Sequence, residues 1–177
     1  LRDPEKLSLL LQSLSQLKNL DLSNCGLEDN AVMAIAPRFS SLSALYLNNN
    51  PLSEKAAFSL SKSLYRLQAL NIWEFQEAFL MGIDGFNELG AFDGFKCYRA
   101  LLNSLTSLKT LRLNIRTNKG ALTFSAATGS LSGLESLYLY RAGSIEFLEA
   151  EEKDSLYNSI SKLTNLKNLT IKNFDEI

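Results

Sequence analysis

Histidine is absent from the 177 residues. That removes Ser-His-Asp and Cys-His catalysis and every histidine-bearing metal site. Cysteine is nearly absent as well. Cys25 and Cys97 are too few for a disulfide framework and too far apart for a zinc cluster. Both read as reduced thiols, which suits the cytoplasm as the compartment. Neither sign of charge dominates: 18 Lys and Arg stand against 19 Asp and Glu, for a net charge of −1. The basic residues are scattered, so no field is expected to draw in nucleic acid or acidic lipid. No apolar run approaches the roughly 18 residues of a membrane span, and the opening L-R-D-P-E-K-L is no signal peptide. A phosphate-cradling G-x-x-x-x-G-K-[ST] is missing. Asp84, Asn87, Glu88 and Asp93 lie among glycines, but their spacing fails the calcium-loop pattern. The acidic run Glu146, Glu149, Glu151 and Glu152 reads as a solvated helix start. Asn168-Leu169-Thr170 matches a glycosylation sequon, yet it falls on an expected strand and reads as incidental. The expectation is therefore no catalytic residue, no metal and no cofactor, and no nucleic-acid, membrane or small-molecule partner.

What the chain has is leucine at fixed intervals. Leu42 to Leu52 reads L-S-A-L-Y-L-N-N-N-P-L, with leucines at the first, fourth, sixth and eleventh places and Asn50 at the ninth. The same spacing begins at Leu17 (L-K-N-L-D-L-S-N-C-G-L), with Cys25 in the place of Asn50. In each segment the L-x-L core predicts a short strand, with Leu45 and Leu47 facing one way and Tyr46 the other. The chain must then turn. Asn50 sits where a side-chain amide can donate to and accept from backbone groups, and Pro51 sets the turn that follows. A short helix then returns the chain, through a right-handed crossover, to the next strand.

The opening Leu7, Leu10, Leu11, Leu14 and Leu17 recur at helical spacing, with Pro4 in the first turn and Asp3 as its cap. The first strand is expected at Leu20–Leu22 and the second at Leu45–Leu47. Asp29 is the expected cap of a helix that buries Val32, Ile35, Ala36 and Phe39 and that Pro37 ends early. Ser53 caps another, with Ala56, Ala57, Leu60, Leu64 and Leu67 inward. Later strands follow from Leu67/Leu70/Ile72, Leu108/Leu111/Leu113, Leu134/Leu137/Leu139 and Leu166/Leu169/Ile171. There Phe75, Arg116 and Ala142 replace the asparagine. Thr123, Ser125, Thr128 and Gly129 argue for an irregular or 3₁₀ return rather than a full helix between the fourth and fifth strands. Leu156, Ile160 and Leu163 mark a helix capped near Asp154.

These two segments match L-x-x-L-x-L-x-x-N/C-x-L without a mismatch. The chain resembles leucine-rich repeat proteins over nearly its whole length, and Leu20–Asp29 (L-D-L-S-N-C-G-L-E-D) is similar to the ribonuclease-inhibitor-like class. The resemblance implies an α/β fold: a right-handed solenoid or horseshoe, with a parallel concave sheet of about six strands and helices on the convex side. It implies protein binding rather than catalysis. Similar irregular repeats occur in secreted bacterial effectors. The alternative reading is thus a substrate-recognition domain of a larger enzyme, such as a ubiquitin ligase or an effector acting in a host cytosol. A single domain over residues 1–177 is expected, as part of a longer protein. The last strand's edge is expected to be open, covered by another molecule, or followed by further repeats.

Alternation names the outward residues of the sheet. One row is Asp21, Tyr46, Asn71, Arg112, Tyr138 and Thr170; the next is Ser23, Asn48, Trp73, Asn114, Tyr140 and Lys172. At the usual strand spacing each row spans roughly 24 Å. Tyr, Trp and Arg dominate interface energetics, so Tyr46, Asn48, Asn71, Trp73, Arg112, Asn114, Tyr138, Tyr140 and Lys172 form the expected partner-binding set. The competing explanation is that aromatic residues simply favour strands. An insertion at about residues 75–93 is the second candidate. Phe75, Phe79, Leu80, Met81, Phe86, Phe92 and Phe95 are many apolar groups for a loop, and Gly82, Gly85, Gly90 and Gly94 give it freedom. Packing over the third helix is the preferred reading for most of them.

Overall fold

A computed structural model describes residues 3–72, 94–115, 118–141 and 150–174. Six short strands run through it: β1 (Asn19–Asp21), β2 (Ala44–Tyr46), β3 (Ala69–Asn71), β4 (Thr110–Asn114), β5 (Ser136–Tyr140) and β6 (Asn168–Lys172). They form one parallel sheet in the order of the sequence. The α-helices among the described residues, one before β1 and the others between strands, are α1 (Pro4–Ser13), α2 (Asp29–Ile35), α3 (Glu54–Ser61), α4 (Gly94–Ser104), α5 (Asn118–Ala127) and α6 (Ala150–Ser161). Each packs on the next, so they form a second layer. Strand leucines and inward helix residues share one core cluster.

The register shows why the order is sequential. Leu20, Leu45, Leu70, Leu111, Leu137 and Leu169 are successive partners across the sheet. Leu45, Leu70, Leu111 and Leu137 are almost wholly buried, whereas Leu20 is half-buried and Leu169 is 48% exposed. An inner leucine is covered by a neighbour on each side, and a leucine at either margin by one. Each fully covered leucine contributes roughly 1.5–3 kcal/mol, so every repeat depends on its neighbours for its share of the core.

The turn after β2 carries an inter-repeat polar link. Asn50 is 2% exposed. Its side-chain nitrogen donates to Leu22 O (2.8 Å), Leu47 O (3.0 Å) and Asn48 O (3.3 Å), and its oxygen accepts from Leu27 N (3.0 Å). One amide thus satisfies backbone groups of its own turn and of the preceding repeat. Cys25, the equivalent residue, is half-buried against the core and makes one hydrogen bond, donating to Ser23 O at 3.4 Å. In β6's turn Phe174 holds this place and is buried. Just before it, Asn24, Asn49 and Asn173 adopt left-handed backbone with φ of 56°, 54° and 58°, a conformation asparagine tolerates better than branched residues. The Asn49 side chain donates to that of Asn24 at 2.9 Å.

The expected caps at Asp3 and Ser53 are present: Asp3 accepts from Glu5 N and Lys6 N, and Ser53 from Lys55 N. α2 ends at Ile35 and continues as a 3₁₀ turn, Ala36–Ser41, with Pro37 in its first turn. Several expectations need correction. The strands of the first two repeats begin one residue earlier than expected. Leu10 and Leu14 are 50% and 43% exposed, because α1 has a partner on one flank and only Leu7 and Leu11 reach it. Asp29 is the first residue of α2, not its cap; its carboxylate instead accepts from the backbone N–H and hydroxyl of Ser53, tying two helix starts together. Asp154 lies within α6, not at its start, whereas Glu151 and Glu152 occupy the first turn and suit the helix dipole there.

The largest correction is α5. A ten-residue helix stands where an irregular return was expected, followed by a 3₁₀ turn at Thr128–Leu131. Ala121, Thr123, Phe124 and Ala127 are buried on it, and it packs against both α4 and α6. Its buried residues pack between those helices, and tertiary packing outweighs weak intrinsic propensity. Phe75, Arg116, Ala142 and the insertion at about 75–93 lie outside the described residues, as do the Asp84/Asn87/Glu88/Asp93 group, Glu146 and Glu149.

Asn50→Ala removes the partners of three buried backbone groups, each worth about 1–3 kcal/mol when left unsatisfied. The expected loss is about 3 kcal/mol, read as a lower urea midpoint at constant slope. Cys25→Ala, which gives up one weak contact, is expected to cost under about 1.5 kcal/mol.

Candidate protein-binding face

The sheet face turned away from the helices carries the candidate site. Asp21, Tyr46, Asn71, Arg112, Tyr138 and Thr170 are in register as one row across all six strands. In the second row Asn114, Tyr140 and Lys172 are paired, and the Asn48 side chain donates to Ser23 Oγ at 3.1 Å. Asp21, Arg112 and Lys172 are exposed, and Ser23, Asn48, Tyr46, Asn71, Tyr138, Tyr140 and Thr170 are half-buried. Trp73 lies outside the described residues. Asn114 departs from the expectation: it is 1% exposed, so its side chain presents no surface to a partner in this state. The Asn71 oxygen is buried with no hydrogen-bond partner.

Arg112 and Tyr138 are cross-strand partners, and the guanidinium lies 4.5 Å from the centre of the tyrosine ring. Such a contact contributes about 0.5–1 kcal/mol at an exposed site. It also fixes both side chains before any partner arrives, which lowers the ordering cost of association. Beside this pair is a depression of about 290 Å³ lined by Arg112, Tyr138, Leu139, Tyr140, Thr170 and Lys172. A second depression, of about 340 Å³, lies at Glu28, Asp29, Asn30, Pro51 and Lys55, but the Asp29 carboxylate there is already bonded to Ser53.

A further row on this face, and a charged cluster at the sheet rim, lie outside the two expected rows. Asn19, Ala44, Ala69, Thr110, Ser136 and Asn168 pair across the sheet two residues before the first row and share its face. They are small or polar and leave the sheet low in relief at that end. Counting the same alternation one step backwards from the first strand leucine would have found them. Asn168, the sequon residue, donates to Ser136 Oγ at 3.0 Å from the side-chain nitrogen that glycosylation would modify. Before that row, Lys109, Glu135 and Lys167 are joined by backbone bonds at the sheet rim. Lys167 meets Glu135 at 2.7 Å and Lys109 meets it at 3.2 Å. The signal was the alternation of charge sign at one repeat position.

Among the described residues, no helix is long and apolar enough to cross a membrane, and no group of three or more histidine, cysteine or acidic side chains could hold a metal ion. No protein-family model matches the chain. A stretch of 85 residues, 48% of the chain, is 38% identical to the transforming growth factor beta activator LRRC33 of Danio rerio and covers 11% of that protein. The chain therefore spans about a tenth of the relative's length. That likeness and the repeating parallel strand-and-helix arrangement support leucine-rich repeats and, in general terms, a protein-interaction module.

Hydrogen bonds from Lys167 and then Lys109 hold the Glu135 carboxyl below its ordinary value of 4.5. A lowered carboxyl contributes stability above the unfolded value and loses it as pH falls through the folded one. The unfolding midpoints of wild type and Glu135→Gln are expected to differ at pH 7 and to converge below the lowered value. A gap that stays constant down to acid would contradict the ion-pair account. Both ion pairs are partly exposed, so molar salt should narrow the gap.

Proposed function

We propose that the chain forms one right-handed leucine-rich repeat solenoid and binds another protein through the concave face of its parallel sheet. Recognition is by shape and by aromatic anchoring, with no turnover. The contacts are Tyr46, Asn48, Asn71, Trp73, Arg112, Tyr138, Tyr140 and Lys172; Asn114, being buried, acts through its neighbours. The observation that carries this reading is the unbroken row from Asp21 to Thr170, on which Tyr46 and the Arg112–Tyr138 stack project from rigid strands. Strands hold such side chains more tightly than loops do, and rigid Tyr and Arg side chains give the largest binding contributions. The relative from Danio rerio is named as an activator of transforming growth factor beta, which agrees with a chain that acts through a partner.

The test is retention of native-source proteins on the immobilised chain, compared across three versions. Wild type and a helix-layer control, Phe58→Ala, should retain the same protein; Tyr46→Ala with Tyr138→Ala should lose it. Truncation of a central anchor costs about 2 kcal/mol or more, a weakening of about thirtyfold. Equal retention by all three, with far-UV circular dichroism unchanged, rules out the sheet face.

A further inference from the structure

We propose that the β4–β6 end of the sheet face takes an acidic segment of the protein partner, with a carboxylate seated between Arg112 and Lys172 above the Tyr138 and Tyr140 rings. This rests on the sheet face being the binding face and adds the chemistry of what it binds.

The fold leaves positive charge unmatched at this end of the sheet. Among the described residues of β4, β5, β6 and their rim, the exposed cations Arg112, Lys109, Lys167 and Lys172 stand against one carboxylate, Glu135. Lys109 and Lys167 share that glutamate. Arg112 and Lys172 are exposed, and neither has a carboxylate partner among the described residues. The two that remain unpaired are the two that line the depression.

Geometry then directs them to one point. Arg112 and Lys172 are two strands and two residues apart, so their Cα atoms are separated by roughly 12 Å. Two long side chains can close that gap on one anion. The Arg112 guanidinium lies over the Tyr138 ring, and its N–H groups can grip a carboxylate through two bonds. Tyr140 and Thr170 complete the lining with hydroxyl groups. The rings also displace water, and charge pairs strengthen as the local dielectric falls.

The far end of the same row fixes polarity. Asp21 is an exposed carboxylate on β1, and it repels an acidic segment from that end. A nucleic acid would need a basic stripe along the face, which the Asp21 end and a net charge of −1 do not supply. An acidic peptide with short apolar side chains between its glutamates fits both the cations and the tyrosine rings.

The experiment uses fluorescein-labelled G-E-L-E-E-L-G and its neutral counterpart G-Q-L-Q-Q-L-G, followed by anisotropy at low salt. Wild type should bind the glutamate peptide about tenfold tighter than the glutamine peptide, the preference expected for a bidentate charged contact. The preference should fall below about threefold in Arg112→Gln with Lys172→Gln, and should weaken in wild type as salt rises. Equal binding of the two peptides by wild type, or no binding of either, overturns the proposal. So does a preference that survives in the double variant. If that variant still loses none of its glutamate-peptide affinity while Tyr138→Ala abolishes it, the acidic reading falls and the sheet face stands. If the sheet-face variants also leave native partner retention intact, both fall.

Discussion

Six leucines, one per strand, stand in a single register line, and the remainder of the molecule is arranged to keep them there. A three-residue strand cannot hold itself together, and a ten-residue helix is marginal alone. Parallel pairing in sequential order lets each inner strand bond to two neighbours while each helix packs on the next. The two margins show what the arrangement supplies: Leu20 and Leu169 occupy the same position as Leu45 and Leu137, yet they are markedly less covered. Burial here belongs to the stack rather than to the residue.

The same constraint produces the outward face. Once leucines alternate inward on strands in register, their neighbours must align in rows on the other side. No extra device is needed to bring Arg112 against Tyr138, because the repeat places them opposite one another. Asn50 shows how the turns contribute: one buried amide joins Leu22, Leu27 and Leu47, so the backbone groups left by one repeat are satisfied by the next. The rim ion pairs and the link from Asp29 to Ser53 repeat that logic with charge.

Features set by the period were legible from the sequence. The leucine spacing placed all six strands, and helical spacing with Ser53 or Asp3 placed the caps. Features set by the neighbours were not. α5 carries threonine, serine and small residues and reads as a poor helix, but packing against both α4 and α6 holds it. Asp29 looks like a cap until Ser53, 24 residues on, takes its carboxylate. Leu10 and Leu14 carry the right spacing and lack a partner helix on their side. Asn114 has the outward parity of its row and is nonetheless buried. Parity gives the face on which a side chain stands, and only the surroundings decide its exposure.

The central claim is that this face, and not the helix layer, meets another protein. Photo-crosslinking tests it most directly, with benzoylphenylalanine placed at position 138 on the sheet or at position 58 on α3. The account predicts a crosslinked partner from position 138 and none from position 58. Crosslinks from position 58 alone would contradict it.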